Sequence, residues 1–179
     1  MSRIPIKNDI TEKHSKGVIT IHWITASLIF VLFPLGKYMA DLAPENKLDL
    51  IKIHAILGIL IFSLTIARAV LFFTVKRPKH LDTGSKFNDL LAVLIHYSFY
   101  SLLLILGTSG IATMISGGYI DALTAEPVIT DLIRPRTEIS ALKYHNILAG
   151  TLIILVFMHI AGVIRFNIKH KTNALKRIT

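Results

Sequence analysis

Apolar residues gather in four long runs, residues 18–38, 51–75, 90–115 and 144–166, and the stretches between them carry most of the charge. Each run reaches or exceeds the ~20 residues a helix needs to cross a hydrocarbon core of ~30 Å. The pattern predicts four membrane spans. With connections this short, the expected fold is all-α: an up-down-up-down four-helix transmembrane bundle, one membrane-embedded domain over residues 1–179. Ser15 or Thr11 is placed to cap the entry to the first span, and Pro34 lies late within it. Pro44 and Glu45 mark the first connection, and Pro78 and Gly84 break the second. The third, residues 116–143, holds Gly117, Gly118, Pro127 and Pro135 and has room for a short surface helix. The first run is too long for a cleaved leader and no small-residue cleavage pattern follows it.

Composition narrows the class. Hydrophobic residues make up 53% and charged residues 17%, against about 25% charged in an average soluble domain. That excludes disorder, coiled coil and most nucleic-acid modules. The chain has no cysteine, which excludes disulfides, iron–sulfur clusters, thiolate metal sites and covalent haem attachment. Any metal centre must rest on histidine or carboxylate.

The net charge of +9 reads as an orientation signal. Arg3, Lys7, Lys13 and Lys16 precede the first span. Lys76, Arg77, Lys79 and Lys86 fill the second connection, and Arg165, Lys169, Lys171, Lys176 and Arg177 follow the fourth span. In the other two connections Lys37, Lys47, Lys52, Arg134, Arg136 and Lys143 are offset by Asp41, Glu45, Asp49, Asp121, Glu126, Asp131 and Glu138. The positive-inside rule then puts both termini and the second connection in the cytoplasm. The basicity calls for no nucleic-acid partner.

Of eight histidines, His14, His80 and His170 fall in tails or the second connection, where solvent is the expected surrounding. His22, His54, His96, His145 and His159 lie inside spans, where an ionisable group is costly and points to function. Helix rise sorts them by depth: His22, His96 and His159 share an inner layer, and His54 and His145 an outer one. On the fourth span His145 and His159 share one face about 21 Å apart. That spacing suits two stacked haems held by histidines of opposing helices and suits a single compact metal site badly. Arg68 follows His54 at the same interval, so it faces the same way in the inner layer. No carboxylate lies at its depth in any span, so its partner is expected to be a haem propionate or a quinone headgroup, unless it snorkels to the surface. Gly36, Gly58, Gly107, Gly110, Gly150 and Gly162 lie in the spans and serve either close packing or room for a flat macrocycle.

Ile21-His22-Trp23 opening the first span, Ile53-His54 through Gly58 to Arg68, His96 in the third span, and His145 with His159 in the fourth together resemble the bacterial cytochrome b561 family. The resemblance covers nearly the whole chain. It implies a bacterial inner-membrane protein with two non-covalent, bis-histidine haem b groups. By that resemblance His22 and His159 ligate the inner haem, His54 and His145 ligate the outer one, and His96 stands beside the inner haem or at a quinone site.

The function expected is electron transfer across the membrane between an outer-side donor and membrane quinone. The resemblance includes superoxide oxidases, so superoxide is a candidate donor. The alternative is a membrane-anchor cytochrome subunit relaying electrons for a separate dehydrogenase, hydrogenase or soluble redox partner; four spans without a large extension favour the stand-alone type. A histidine-lined metal or proton transporter would carry more carboxylate in its spans than Asp89, which sits at the edge of one. If an anion must be guided to the outer haem, the expected guides are Lys52 and Lys143, with Arg134 and Arg136 behind them; the alternative is that these four only anchor the chain at the membrane interface.

Overall fold

The computed structural model describes residues 11–125 and 127–179. Arg3, Lys7 and Glu126 lie outside them. Four long helices, α1 (Lys16–Ala40), α2 (Pro44–Thr74), α3 (Lys86–Ser116) and α5 (Ser140–His170), hold the apolar runs, and the short α4 (Tyr119–Thr124) lies in the third connection. All four long helices are long and apolar enough to cross a membrane. The protein is a multi-pass membrane protein. At 25 to 31 residues, the helices measure about 37–46 Å and project beyond a ~30 Å hydrocarbon core.

In chain order α1 packs on α2, α2 on α3, and α3 on α5. The course is up-down-up-down: Gly17 at the start of α1 lies near Leu71 at the end of α2, and Gly36 near the end of α1 lies near His54 of α2. Ser15 caps α1, its side chain accepting from the Val18 N–H (3.5 Å). Pro34 sits inside α1, which continues to Ala40; neighbouring groups in a membrane bundle absorb the lost donor. At mid-height Ile29, Leu32, Ile61, Leu103 and Leu152 meet, with all four long helices contributing. Large apolar side chains such as Phe30, Ile56, Ile154 and Phe157 are exposed on the outside of the bundle, the side that lipid covers.

The two ends of the bundle differ. At one, the loop end, Gly118 adopts φ 72° in the tight turn from α3 to α4, a conformation glycine reaches without strain. The third connection holds more than a surface helix. Tyr119 and Ala122 of α4 are buried, and burial pushes the Tyr119 hydroxyl above its ordinary pKa. Two 3₁₀ turns, Thr130–Leu132 and Arg136–Glu138, complete it.

At the other, the tail end, the segments flanking the first and last spans are tied together. A 3₁₀ turn over Ala174–Arg177 brings Arg177 into a buried position, 6% exposed. Its guanidinium donates from Nε to the Glu12 carbonyl (3.0 Å) and from Nη2 to the Lys79 carbonyl (2.7 Å). The His14 N–H donates to the Arg177 carbonyl (3.0 Å). The Trp23 indole N–H reaches the Ile178 carbonyl (2.7 Å). Thus the 11–15 segment, the second connection and the 174–179 segment share one end. His14 and His170, expected in solvent, are half-buried there: burial, aided by Arg177, lowers the His14 pKa, and the His170 ring stacks on Phe166 at 4.6 Å. His80 is exposed as expected.

Candidate functional site

A cavity of about 380 Å³ lies among the four long helices at the loop end. Each helix offers it a stripe at helical spacing: Ile29, Leu32 and Gly36 from α1, Ile51, His54 and Gly58 from α2, Leu103, Gly107 and Gly110 from α3, and Leu142, His145 and Leu152 from α5. Tyr119 and Ile120 of α4 close part of the mouth. A Cβ built on Gly58 would meet no atom within 4 Å, so this glycine faces open cavity and keeps it wide.

His54 and His145 enter the cavity from α2 and α5, ring centroids 6.3 Å apart and planes at 72°. The two predicted outer residues are therefore brought together. The His145 Nδ1 contacts the Leu106 carbonyl (3.2 Å) and the Ser109 hydroxyl oxygen (3.1 Å). A carbonyl can only accept, so this contact puts the ring proton on Nδ1 and leaves the Nε2 lone pair free. Ligating histidines are commonly oriented this way through the other nitrogen. Nδ1 of His54 is buried and has no hydrogen-bond partner among the described residues.

The donor set fits a haem. Two imidazoles bound on opposite sides of one metal at the usual metal–imidazole distance of about 2.0–2.1 Å have ring centres on the order of 6 Å apart, as His54 and His145 do. Apolar walls and a glycine-widened space suit a flat macrocycle. Among the described residues, no three or more histidine or carboxylate side chains are grouped to hold a metal ion.

Toward the tail end the predicted inner residues also gather, differently. The His159 ring contacts His96 (5.3 Å between centroids) and Phe99 (5.6 Å), while the His22 ring lies edge-on to Trp23 at 5.3 Å. Nδ1 of His96 donates to the Ala92 carbonyl one turn back (2.6 Å), leaving its Nε2 free. Arg68 stands over the Tyr100 ring at 5.6 Å, and its Nε is buried without a hydrogen-bond partner. Arg68, His96, Thr25, Thr65 and Tyr100 surround a small cavity of about 30 Å³. Thr25 Oγ1 is likewise buried and unpartnered. Leu103 lines both cavities and so stands in the wall between them.

Of the four basic residues expected to guide an anion, Arg136 lines the cavity, whereas Lys52 and Lys143 are exposed and, like Arg134, are absent from its lining; Lys47 and Lys37 line it as well. The helical register explains this. Lys52 and Lys143 stand two residues from His54 and His145, about 200° around the helix, whereas Lys47 precedes His54 by two full turns and shares its face. That spacing is the signal by which the sequence marks Lys47. Ser109, the contact of His145, carries no such signal, since it reaches its partner from another helix.

The family model for prokaryotic cytochrome b561 matches residues 13–179. Neither the curated proteins nor the solved structures contain a match to the chain.

Proposed function

The chain belongs to the prokaryotic cytochrome b561 family, and on that basis we propose that it is a di-haem b-type cytochrome carrying electrons across the bacterial inner membrane between an outer-side donor and membrane quinone. The family implies a membrane b-type cytochrome engaged in electron transfer. The observation that carries the finer reading is the His54–His145 pair, two imidazoles facing one apolar cavity with the Nε2 of His145 left free. In this reading the tail end is cytoplasmic, as the distribution of Lys and Arg supports.

His54 and His145 hold the loop-end haem. His22 and His159 hold the tail-end haem, with His96 and Arg68 beside it. Bound haem supplies one-electron chemistry at a potential tuned by its ligands and surroundings. The chain's own residues orient and insulate. Leu106 and Ser109 fix the His145 ring from α3. Ile29, Leu32, Ile61, Leu103 and Leu152 keep water from the space between the two histidine layers. Arg68 presents an unpaired guanidinium N–H to an anionic or carbonyl-bearing group at the tail end, a propionate or a quinone headgroup.

Superoxide suits the outer donor role because Lys37 and Arg136 are among the residues that line the loop-end cavity and a small anion is drawn to positive charge. Two superoxide ions give up one electron each and leave as dioxygen; one quinone takes both electrons and two protons to become the quinol. The test is reconstitution into quinone-containing vesicles with superoxide generated outside. Haem reduction followed by quinol formation is expected. Haem that reduces with dithionite but never with superoxide would remove superoxide as donor and favour a subunit fed by a protein partner.

A further inference from the structure

We propose that the tail-end junction is a clasp that holds α1 against α5 so that His22 stands opposite His159, which makes Arg177, Trp23 and Asn167 positioning residues for the tail-end haem. This rests on the haem reading above.

The long helices form a row in which α1 packs on α2, α2 on α3 and α3 on α5, while among the described residues α1 and α5 hardly pack on each other. The two tail-end histidines flank that seam, His22 on α1 and His159 on α5. Imidazoles that share one metal, with bonds of about 2.0–2.1 Å, need ring centres on the order of 6 Å apart. At the loop end, α2 and α5 both pack on α3, which fixes one against the other and holds His54 and His145 at 6.3 Å. Between α1 and α5 no single helix plays that part. The constraint on the tail-end pair must come from elsewhere.

The junction supplies it. After α5 the chain turns sharply through Lys171 at φ 48°, a left-handed conformation uncommon outside glycine. Asn167 of α5 holds this turn: its carbonyl accepts from the Thr172 N–H (3.2 Å) and its side-chain oxygen from the Ala174 N–H (2.8 Å). The 174–179 segment then crosses to α1. Arg177 meets Glu12 and His14 just before that helix, and the Ile178 carbonyl accepts from the Trp23 indole N–H (2.7 Å). The Trp23 ring in turn lies edge-on to His22 at 5.3 Å. Stability alone would be served by a tie to any turn of α1; this one ends on the neighbour of the tail-end ligand. Ligands held in place beforehand bind their group at lower ordering cost.

The test has two arms. Nitroxide labels on Thr20→Cys and Ile164→Cys, exposed positions of α1 and α5 in a chain without other cysteine, report the seam in haem-free protein by double electron–electron resonance. Arg177→Met should lengthen and broaden the distances, and Trp23→Phe should do so less. The second arm places Arg177→Met in the His54→Ala chain, expected to keep the tail-end haem, and in the His22→Ala chain, expected to keep the loop-end one. Transfer to excess apomyoglobin should be on the order of tenfold faster in the former and unchanged in the latter. Thr83→Val, which removes a hydroxyl bonded to Asp89 (2.8 Å) at the same end but not at the seam, should alter neither readout. Circular dichroism checks that the helices persist. Unchanged label distances in Arg177→Met, haem release no faster at the tail end than at the loop end, or an equal effect of Thr83→Val overturns the clasp while leaving the cytochrome reading intact. A wild-type chain that takes up no haem overturns both.

Discussion

Gly36 lies directly against His54: a Cβ at position 36 would stand 3.3 Å from the ring's Cε1. Gly110 has the same relation to His145, at 3.2 Å. Each loop-end imidazole therefore leans on a glycine of a neighbouring helix, which sets the ring where a larger residue would displace it. Gly36→Val is expected to push the His54 ring out of position and weaken haem retention at the loop end, leaving helical content unchanged. Haem transfer to apomyoglobin measures it. Wild-type retention in Gly36→Val would mean the contact does not position the ring.

Gly58 offers the opposite case. Because its missing Cβ would touch nothing within 4 Å, Gly58→Leu should fold and then fill the cavity. The expected outcome is loss of the loop-end haem, with thermal stability of the haem-free protein kept or raised, since leucine suits a helix better than glycine by about 1 kcal/mol. Absorbance and a melting curve decide it.

At the tail end, Arg177 serves two carbonyls from a buried position. Arg177→Met keeps much of the side chain's bulk and removes both donors. The cost expected is roughly 1–3 kcal/mol for each carbonyl left without a partner, or a fall of about 2–4 °C in melting temperature per kcal/mol for a chain of this size. Trp23→Phe tests the adjoining link, because it retains the ring beside His22 and loses the N–H that meets Ile178. Smaller destabilisation than in Arg177→Met is expected.

His14 makes the same junction sensitive to acid. Burial first, and then the nearby Arg177 guanidinium, hold its pKa below the ordinary 6.5. The unfolded chain therefore takes up this proton more readily than the folded one. The contribution to stability is full above pH 6.5 and is lost as pH falls through 6.5, levelling off once the lower folded pKa is passed. His14→Gln should reduce the loss of melting temperature between pH 7.5 and pH 5. An identical pH profile in the variant would show that His14 stays neutral at no cost.

The helices were legible because apolar runs of span length leave few alternatives. Their ends were less so: α2 begins at Pro44 rather than near residue 51, since a helix projecting past the hydrocarbon can carry Lys47 and Asp49. The layering of the histidines followed from helix rise alone, and His54 and His145 do meet. The cavity face was faint because a lipid-facing stripe is as apolar as a core-facing one, so periodicity in hydropathy fades and only histidine and glycine mark the inward side. The tail-end junction was not legible at all. Arg177, Trp23 and Glu12 come together through tertiary contacts between segments far apart in sequence, and no local pattern announces them.

The central claim is that two histidine layers hold two haems, and haem stoichiometry tests it most directly. Pyridine haemochrome analysis of the purified wild type should give two haems b per chain with a low-spin spectrum. His54→Ala and His145→Ala should each retain about one, as should His22→Ala and His159→Ala, with the two pairs losing spectrally distinct centres. A wild-type ratio of one, or wholesale haem loss from His96→Ala with the four ligand variants unaffected, would contradict the account.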